Sequence, residues 1–432
     1  MKKFLLGFFL ITMVSFYVFP ISFTFLPQAV NSKILVAVFG VFAFTFESIR
    51  KKAMRFPEPI IFSALLAALF SVWCLYSVIA ANTYDMVYAT YIISYLTWIF
   101  GAYGVYGALR LAYDNVDLEI LTRYLALVGV AQCIAAVVID NNAAFASFVD
   151  RFVDMGQEFF KKGNRLYGIG AALDPAGIRF SVILIMIAHQ FSTNPNVRQH
   201  RLYQATDLGA FAIIVIIGSV ISRTTLVGTG LGLFYIIISI IRMRKGGFMT
   251  VSMVKMFFWF FVVMMIIVGV SIYFYRASDT FQGYLRFGFE AFFNWVETGE
   301  FRTSSTDTLN DVMWIWPDNL RDWLVGRGTY GIFDNGTDIG YCNFTLYCGL
   351  IGLLIFSIFF IYCHTVQIRK FQQFKFTAWL LVALTFIVWV KVATDIFFID
   401  ALLFCIASDY EGEVEDVTYA DHIVPDDISV RK

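Results

Sequence analysis

Long apolar runs recur from one end of this chain to the other, broken by short polar links and by two extended hydrophilic segments. A bilayer core about 30 Å thick takes about 20 helical residues to cross, and only structures that satisfy their own backbone can cross it. The pattern therefore predicts an all-α, polytopic membrane protein. The candidate spans are Phe4–Phe19, Ile34–Phe46, Ile60–Ile79, Met86–Leu109, Ile120–Ile139, Ile178–Gln190, Leu208–Ile221, Leu226–Ile241, Met256–Tyr275, Tyr341–Tyr362, Phe376–Val390 and Ile396–Ala407, about twelve in all. Several are short, which leaves paired half-spans open at 208–241 and 376–407. The first run follows Met1-Lys-Lys without a small-residue cleavage site, and reads as a retained span rather than a signal peptide.

The positions of Lys and Arg orient the bundle. With the N-terminus cytoplasmic, 19 of the 32 bases fall on that side, nine lie in the two long outer loops with Arg179 at the outer end of the span that follows the first, and the short outer links hold only Lys33, Arg223 and Lys391. Both termini are then expected inside, with a membrane domain over 1–408 and outer loops at about 140–177 and 276–340. After Ser408 comes an acidic stretch with no base before Arg431, the composition of a solvated cytoplasmic tail over 409–432. Each outer loop contains an amphipathic stretch: Phe145, Phe148, Val149, Phe152, Val153 and Phe159 in the first, Phe281, Leu285, Phe289, Phe292, Phe293 and Val296 in the second. Two arrangements suit such stretches, lying in the membrane interface or packing on the protein's own spans.

Composition agrees with this reading. The 432 residues are 59% hydrophobic and only 15% charged, with a mean hydropathy of +0.72, too little polar surface for a water-facing globule. Equal numbers of acids and bases, 32 each, and no basic patch interleaved with aromatics give no reason to expect nucleic acid as a partner; membrane lipid is the expected surrounding. The six Cys, mostly within apolar runs, show neither disulfide nor zinc spacing and read as small core residues.

Few ionisable residues fall within the spans. Asp400 is the exception, open to either a functional role or capping by Lys391 or Asp395. Polar groups gather on the outer rim, and arginine dominates them: Arg165, Arg179, Arg223, Arg276, Arg286, Arg302, Arg321 and Arg327. Arg223 sits in the tight link Ser222-Arg-Thr-Thr225, where its guanidinium could grip a lipid-linked phosphate bidentately or simply snorkel to lipid. Arg165 and Arg179 flank the glycine-rich turn Leu166–Gly177, in which Asp174-Pro175 leads into the next span. The four His fall inside or on the cytoplasmic side, so neither an outward Ser-His-Asp site nor a metal site is expected. Carboxylates are plentiful in the second outer loop: Glu290, Glu297, Asp307, Asp311, Asp334 and Asp338. Asp338, just before the tenth span, could accept a proton from a sugar hydroxyl or could cap that helix.

Residues Arg302 to Gly352, with Leu324-Val-Gly-Arg-Gly-Thr-Tyr-Gly331, Thr337-Asp-Ile-Gly-Tyr341 and Tyr347-Cys-Gly-Leu-Ile-Gly352, resemble the large periplasmic loop and following span of bacterial O-antigen and capsular polysaccharide polymerases. Gly163-Asn-Arg-Leu-Tyr-Gly168 with Asp174-Pro175 is similar to that family's earlier periplasmic loop, and Ser222-Arg-Thr-Thr225 to its arginine turn; in layout the likeness covers about residues 120–400. The resemblance implies transfer of a growing glycan from undecaprenyl diphosphate to a new lipid-linked repeat unit at the periplasmic face of the inner membrane, with no metal or other cofactor. Its partners would be undecaprenyl-diphosphate-linked oligosaccharides, a chain-length regulator and a flippase. It assigns Arg223 and Arg165 to the donor diphosphate and Arg327 or Arg302 to the acceptor or second diphosphate; Arg179, on the other flank of the glycine-rich turn, is a further substrate-binding candidate. Asp338 and Tyr341 fall in the stretch Thr337–Tyr341, with Asp338 a candidate catalytic residue and Tyr341 a candidate for substrate binding, while the base itself stays open. Two departures stand out. The related O-antigen ligases place a His where this chain has Asp338, which favours polymerase. Eleven residues separate Arg165 from Gly177, where some polymerases have ten. Ligase remains the alternative; a repeat-unit flippase would call for inverted repeats, and no internal repeat is found.

Overall fold

The computed structural model describes residues 2–27, 30–51, 57–154, 165–245 and 251–406. The acidic tail and the residues 155–164, with Phe159, Gly163 and Asn164 of the first loop, lie outside the described residues. About 79% of the described residues are helical. Its main helices are α1 (Lys2–Val18), α2 (Ser32–Lys51), α3 (Glu58–Ala81), α4 (Tyr91–Leu109), α5 (Leu118–Asn141), α6 (Ala143–Phe152), α7 (Leu173–Thr193), α8 (Arg201–Ile221), α9 (Thr225–Lys245), α10 (Val251–Ala277), α11 (Asp279–Gly288), α12 (Glu290–Thr298), α13 (Gly340–Lys370), α14 (Lys375–Val388) and α15 (Phe397–Ile406).

Eight of these among the described residues, α2 to α5, α7 to α9 and α13, are long and apolar enough to cross a membrane. α1, α14 and α15 are apolar but shorter. Each predicted run coincides with a helix. At 208–241, where the sequence leaves half-spans open, α8 is 21 residues long and α9 has an 18-residue apolar window, so each is long and apolar enough to cross alone. α8 reaches that length through a π-helical turn at Ile214–Gly218. The short pair α14 and α15 remains. α15 is buried along its whole length, so its brevity reflects a place inside the bundle rather than at its edge.

The core is built from aromatic and aliphatic side chains of α1, α3, α4, α7, α13, α14 and α15. Phe356 stacks on Phe70 at 4.3 Å and on Trp389 at 5.6 Å between ring centroids, joining α3, α13 and the end of α14. α1 belongs to this core, with the Tyr17 hydroxyl donating to the carbonyl of Phe398 at 2.8 Å. All six Cys are free thiols and buried, as small core residues. Asp400 is not capped by Lys391 or Asp395; its carboxylate meets His364 Nδ1 at 2.8 Å, both side chains fully buried.

α13 is broken. Gly349 has φ +67° within it, so the carbonyls of the preceding turn lose their helical partners. In an apolar interior they must find others. The Arg327 N–H donates to Leu346 O at 2.6 Å, the Gly328 N–H to Tyr347 O at 3.1 Å, and Trp73 Nε1 to Cys348 O at 2.8 Å. A Cβ at Gly349 would lie 2.2 Å from Leu324 O, so only glycine lets the two segments approach. The motif 324–331 thus docks into the break in the motif 347–352, a contact between two stretches that the sequence offers as separate signals.

Hydrogen bonds collect the long loops at one end of the bundle, the loop end. Tyr284 OH donates to Asp140 at 2.7 Å, Thr83 Oγ1 to Gly328 O at 2.7 Å, and Tyr330 OH to Ala393 O at 2.9 Å. β1 (Ser22–Phe23) and β2 (Val153–Asp154) pair antiparallel over a second small core of Ile21, Ile139, Val149, Val153 and Tyr167. Both amphipathic readings apply, to different positions. Val149 and Phe145 pack on the protein while Phe148 and Phe152 are exposed; in the second stretch Leu285 is buried and Phe293 stacks on Tyr275, while Phe292, Trp295 and Val296 form an exposed stripe.

Candidate active site

The link between α8 and α9 is short because Ser222 to Thr224 turn directly from one apolar run into the next. Gly177 makes room for this turn: a Cβ there would lie 2.5 Å from Ser222 Oγ and 2.9 Å from Thr224 Cβ. The start of α7 therefore rests against the arginine turn. Asp174 becomes the hub of the contact, accepting from Lys391 Nζ at 2.8 Å, Thr224 Oγ1 at 2.5 Å and Ser222 Oγ at 3.3 Å. Three donors around one carboxylate hold it ionised and fix the turn on which Arg223 stands.

From that turn Arg223 reaches toward α11 and α12. Its guanidinium lies 4.4 Å from the ring centroid of Phe287, and Arg165 approaches the same ring at 5.9 Å. Arg223 forms a half-buried ion pair with Glu290, whose carboxylate also accepts the Ser304 N–H at 2.9 Å. A cavity of about 470 Å³ opens here, lined by Arg223, Arg286, Phe287, Glu290, Phe293, Asn294 and Ser304. Arg286 is itself held by Tyr275 OH at 2.9 Å and by Glu297. Cationic forks on the walls, an aromatic floor and amide and hydroxyl groups at the rim make the cavity suited to a polyanion with attached polar groups.

Asp338 lies within electrostatic reach of Asp174 and Lys391, the pair that pins the arginine turn. It does not cap α13: Ile339 is the capping position, with no side-chain cap, and the Ile339 N–H goes to Thr337 Oγ1 at 3.1 Å. The surrounding protein, and then the charge of Asp174, raise its pKa above the ordinary aspartate range, with Lys391 offsetting part of the effect. Its tip is exposed. A carboxylate of this kind is a stronger base than a free aspartate while staying open to a substrate hydroxyl.

The other predicted site residues are elsewhere. Arg179 lines a separate cavity. Arg302 is an exposed side chain paired with Glu300 at 3.1 Å and Asp307 at 3.7 Å, touching the first cavity's rim only through its carbonyl, which accepts from Asn294 Nδ2. Arg327 is anchored by its backbone in the break of α13. The Tyr341 hydroxyl donates to Phe386 O at 2.9 Å and its ring packs edge-on against Trp389, so it serves the packing of α13 on α14. Asp174, Lys391, Glu290 and Phe287 are at the site although the sequence reading assigned none of them a role there. A signal for Lys391 was present, since it is one of three bases in short links against the charge bias.

No known protein family, curated protein or solved structure matched the chain.

Proposed function

We propose that the protein is a bacterial inner-membrane polysaccharide polymerase, a glycosyltransferase that moves a growing glycan from undecaprenyl diphosphate onto a new lipid-linked repeat unit. The observation that carries this reading is the arginine-walled cavity at the loop end of an apolar bundle, with the exposed carboxylate of Asp338, its pKa raised, within electrostatic reach of the Asp174–Lys391 pair that pins the arginine turn. In this reading all twelve apolar helices cross or enter the membrane, both termini are cytoplasmic, and the loop end faces the periplasm.

The donor diphosphate would displace Glu290 from Arg223 and lie between Arg223 and Arg286, with Arg165 behind Phe287. An acceptor hydroxyl oxygen attacks the anomeric carbon from the face opposite the diphosphate. The new glycosidic C–O bond forms as the bond to the diphosphate oxygen breaks, so the configuration inverts. The electron pair leaves on the diphosphate, where the arginines stabilise it, and the hydroxyl proton passes to Asp338. Since diphosphate is a good leaving group, charge neutralisation and alignment supply most of what the reaction needs. Ligation of finished glycan to lipid A core or protein would use the same donor site with a different acceptor.

The test in cells is deletion of the gene and analysis of lipid-linked glycans. Single repeat units at the periplasmic face are expected; accumulation of long lipid-linked polymer would instead identify a ligase, and units retained on the cytoplasmic face a flippase. A second expectation concerns pH. Because the pKa of Asp338 is raised in the folded protein, its base form is present above that value and is lost as pH falls through it, at a pH higher than the value of about 3.9 for a free aspartate. The elongation rate should fall on the acid side with a slope of one proton, and Asp338→Asn should lower it by about 10²–10⁴-fold and abolish that limb. Rates across pH in proteoliposomes check this, and an unchanged acid limb in Asp338→Asn would exclude Asp338 as the base.

A further inference from the structure

A second cavity, of about 200 Å³, lies between α2, α4, the start of α7 and the link before α15. Its wall carries two cations, Lys33 and Arg179, one carboxylate, Asp395, and the hydroxyls of Ser94 and Thr394. Lys33 Nζ sits 4.2 Å from the ring centroid of Trp98 and the Arg179 guanidinium 6.0 Å from that of Phe19. Asp395 lies within electrostatic reach of both, yet among the described residues neither cation is within ion-pair distance of a carboxylate or makes a side-chain hydrogen bond. The Ser94 and Thr394 hydroxyls are equally unengaged. Asp395 already accepts the Phe397 N–H at 3.0 Å through Oδ1.

Two cations against one anion leave the cavity with a surplus positive charge inside an apolar bundle. Such a charge is costly unless an anion answers it. Four donors line the cavity against the single carboxylate of Asp395, and guanidinium, ammonium and hydroxyl groups are the donors that phosphate oxygens accept from. The position in the fold bears on where that phosphate comes from. On α4, Ser94 is followed by the buried Tyr95 and preceded by Ile93, an exposed apolar side chain that shares the outer face of the helix with Leu96. A phosphate entering beside them would have acyl or prenyl chains lying along that face.

We propose that Lys33 and Arg179 form a phosphate site that holds the headgroup of a membrane lipid. The site is distinct from the Arg223 cavity and does not rest on the polymerase reading. Pro175 lines it while the adjacent Asp174 holds the arginine turn, so a bound headgroup would brace the start of α7 from the opposite side.

The test is native mass spectrometry of the delipidated full-length protein titrated with phosphatidylglycerol, with diacylglycerol of the same chains and inorganic phosphate as separate arms. Wild type should retain one phosphatidylglycerol, and Lys33→Gln with Arg179→Gln should weaken it by about tenfold or more per lost charge-assisted hydrogen bond. Arg223→Ala should leave it unchanged, which separates this site from the proposed catalytic one. Asp395→Asn keeps the acceptor for Phe397 while removing the opposing charge and should tighten binding severalfold, a gain that misfolding cannot imitate. Equal retention by wild type and the double variant, or retention of diacylglycerol as strong as that of phosphatidylglycerol, would overturn the proposal. So would inorganic phosphate that fills the site at the same concentration as the lipid.

Discussion

Replacing Arg223 by Ala should stop chain elongation: surface polysaccharide is expected to fall to single-repeat length in cells that hold normal amounts of the protein. Arg223 is the residue through which two parts of the site communicate. Its turn is pinned by Asp174, and its guanidinium reaches into the 470 Å³ cavity over Phe287. Losing one preorganised donor to a developing anion lowers a rate by about 10²–10³-fold. The Glu290 carboxylate would then be left without its cation, adding a repulsive charge where the diphosphate should sit. Glu290→Gln provides the complementary case. It frees Arg223 without adding charge, so binding of the donor should tighten even where turnover does not rise. Chain-length ladders on a gel check both variants, and an unchanged ladder in Arg223→Ala would remove the residue from the mechanism.

Gly349→Ala should cost the protein much of its stability although it adds a single methyl group to an apolar helix. The backbone at Gly349, with φ +67° and ψ −179°, lies in a region essentially open to glycine alone and costs an L-residue about 1–3 kcal/mol, and overpacking against Leu324 O adds about 1–3 kcal/mol. Relief can come only by undocking the segment 324–328, which would strand the carbonyls of Leu346 and Tyr347. The same change at Gly230, where a Cβ meets nothing within 4 Å, should be neutral or slightly stabilising, since Ala is the better helix former. Thermal unfolding of the two variants in detergent, followed by light scattering or intrinsic fluorescence, compares them directly. Equal midpoints would mean that the docked segment contributes nothing to the folded bundle.

The helices were legible because an apolar run in a bilayer has few options, and every predicted run from Phe4 onward coincides with one. Their ends and roles were less so. The break at Gly349 is silent in sequence, since glycine is common in membrane helices and the segment that fills the break comes from a distant loop. Asp174 read as the start of a span, but its importance lies in donors 48, 50 and 217 residues away, which no local pattern can reveal. Tyr341 and Arg327 sit in the most suggestive motifs and are used for packing and docking. The most informative signal was the charge bias read in reverse. Lys33, Arg223 and Lys391, the three bases in short links against that bias, line the two cavities or bind the aspartate between them.

Reconstitution tests the central claim most directly. Purified protein in proteoliposomes, given only a defined undecaprenyl-diphosphate-linked repeat unit, should build a ladder of lipid-linked oligomers of inverted linkage without added metal, and Arg223→Ala should leave the monomer unconsumed. Wild-type protein that is folded and binds the lipid-linked unit yet yields no oligomer, or an Arg223→Ala variant that yields the same ladder, would contradict the account.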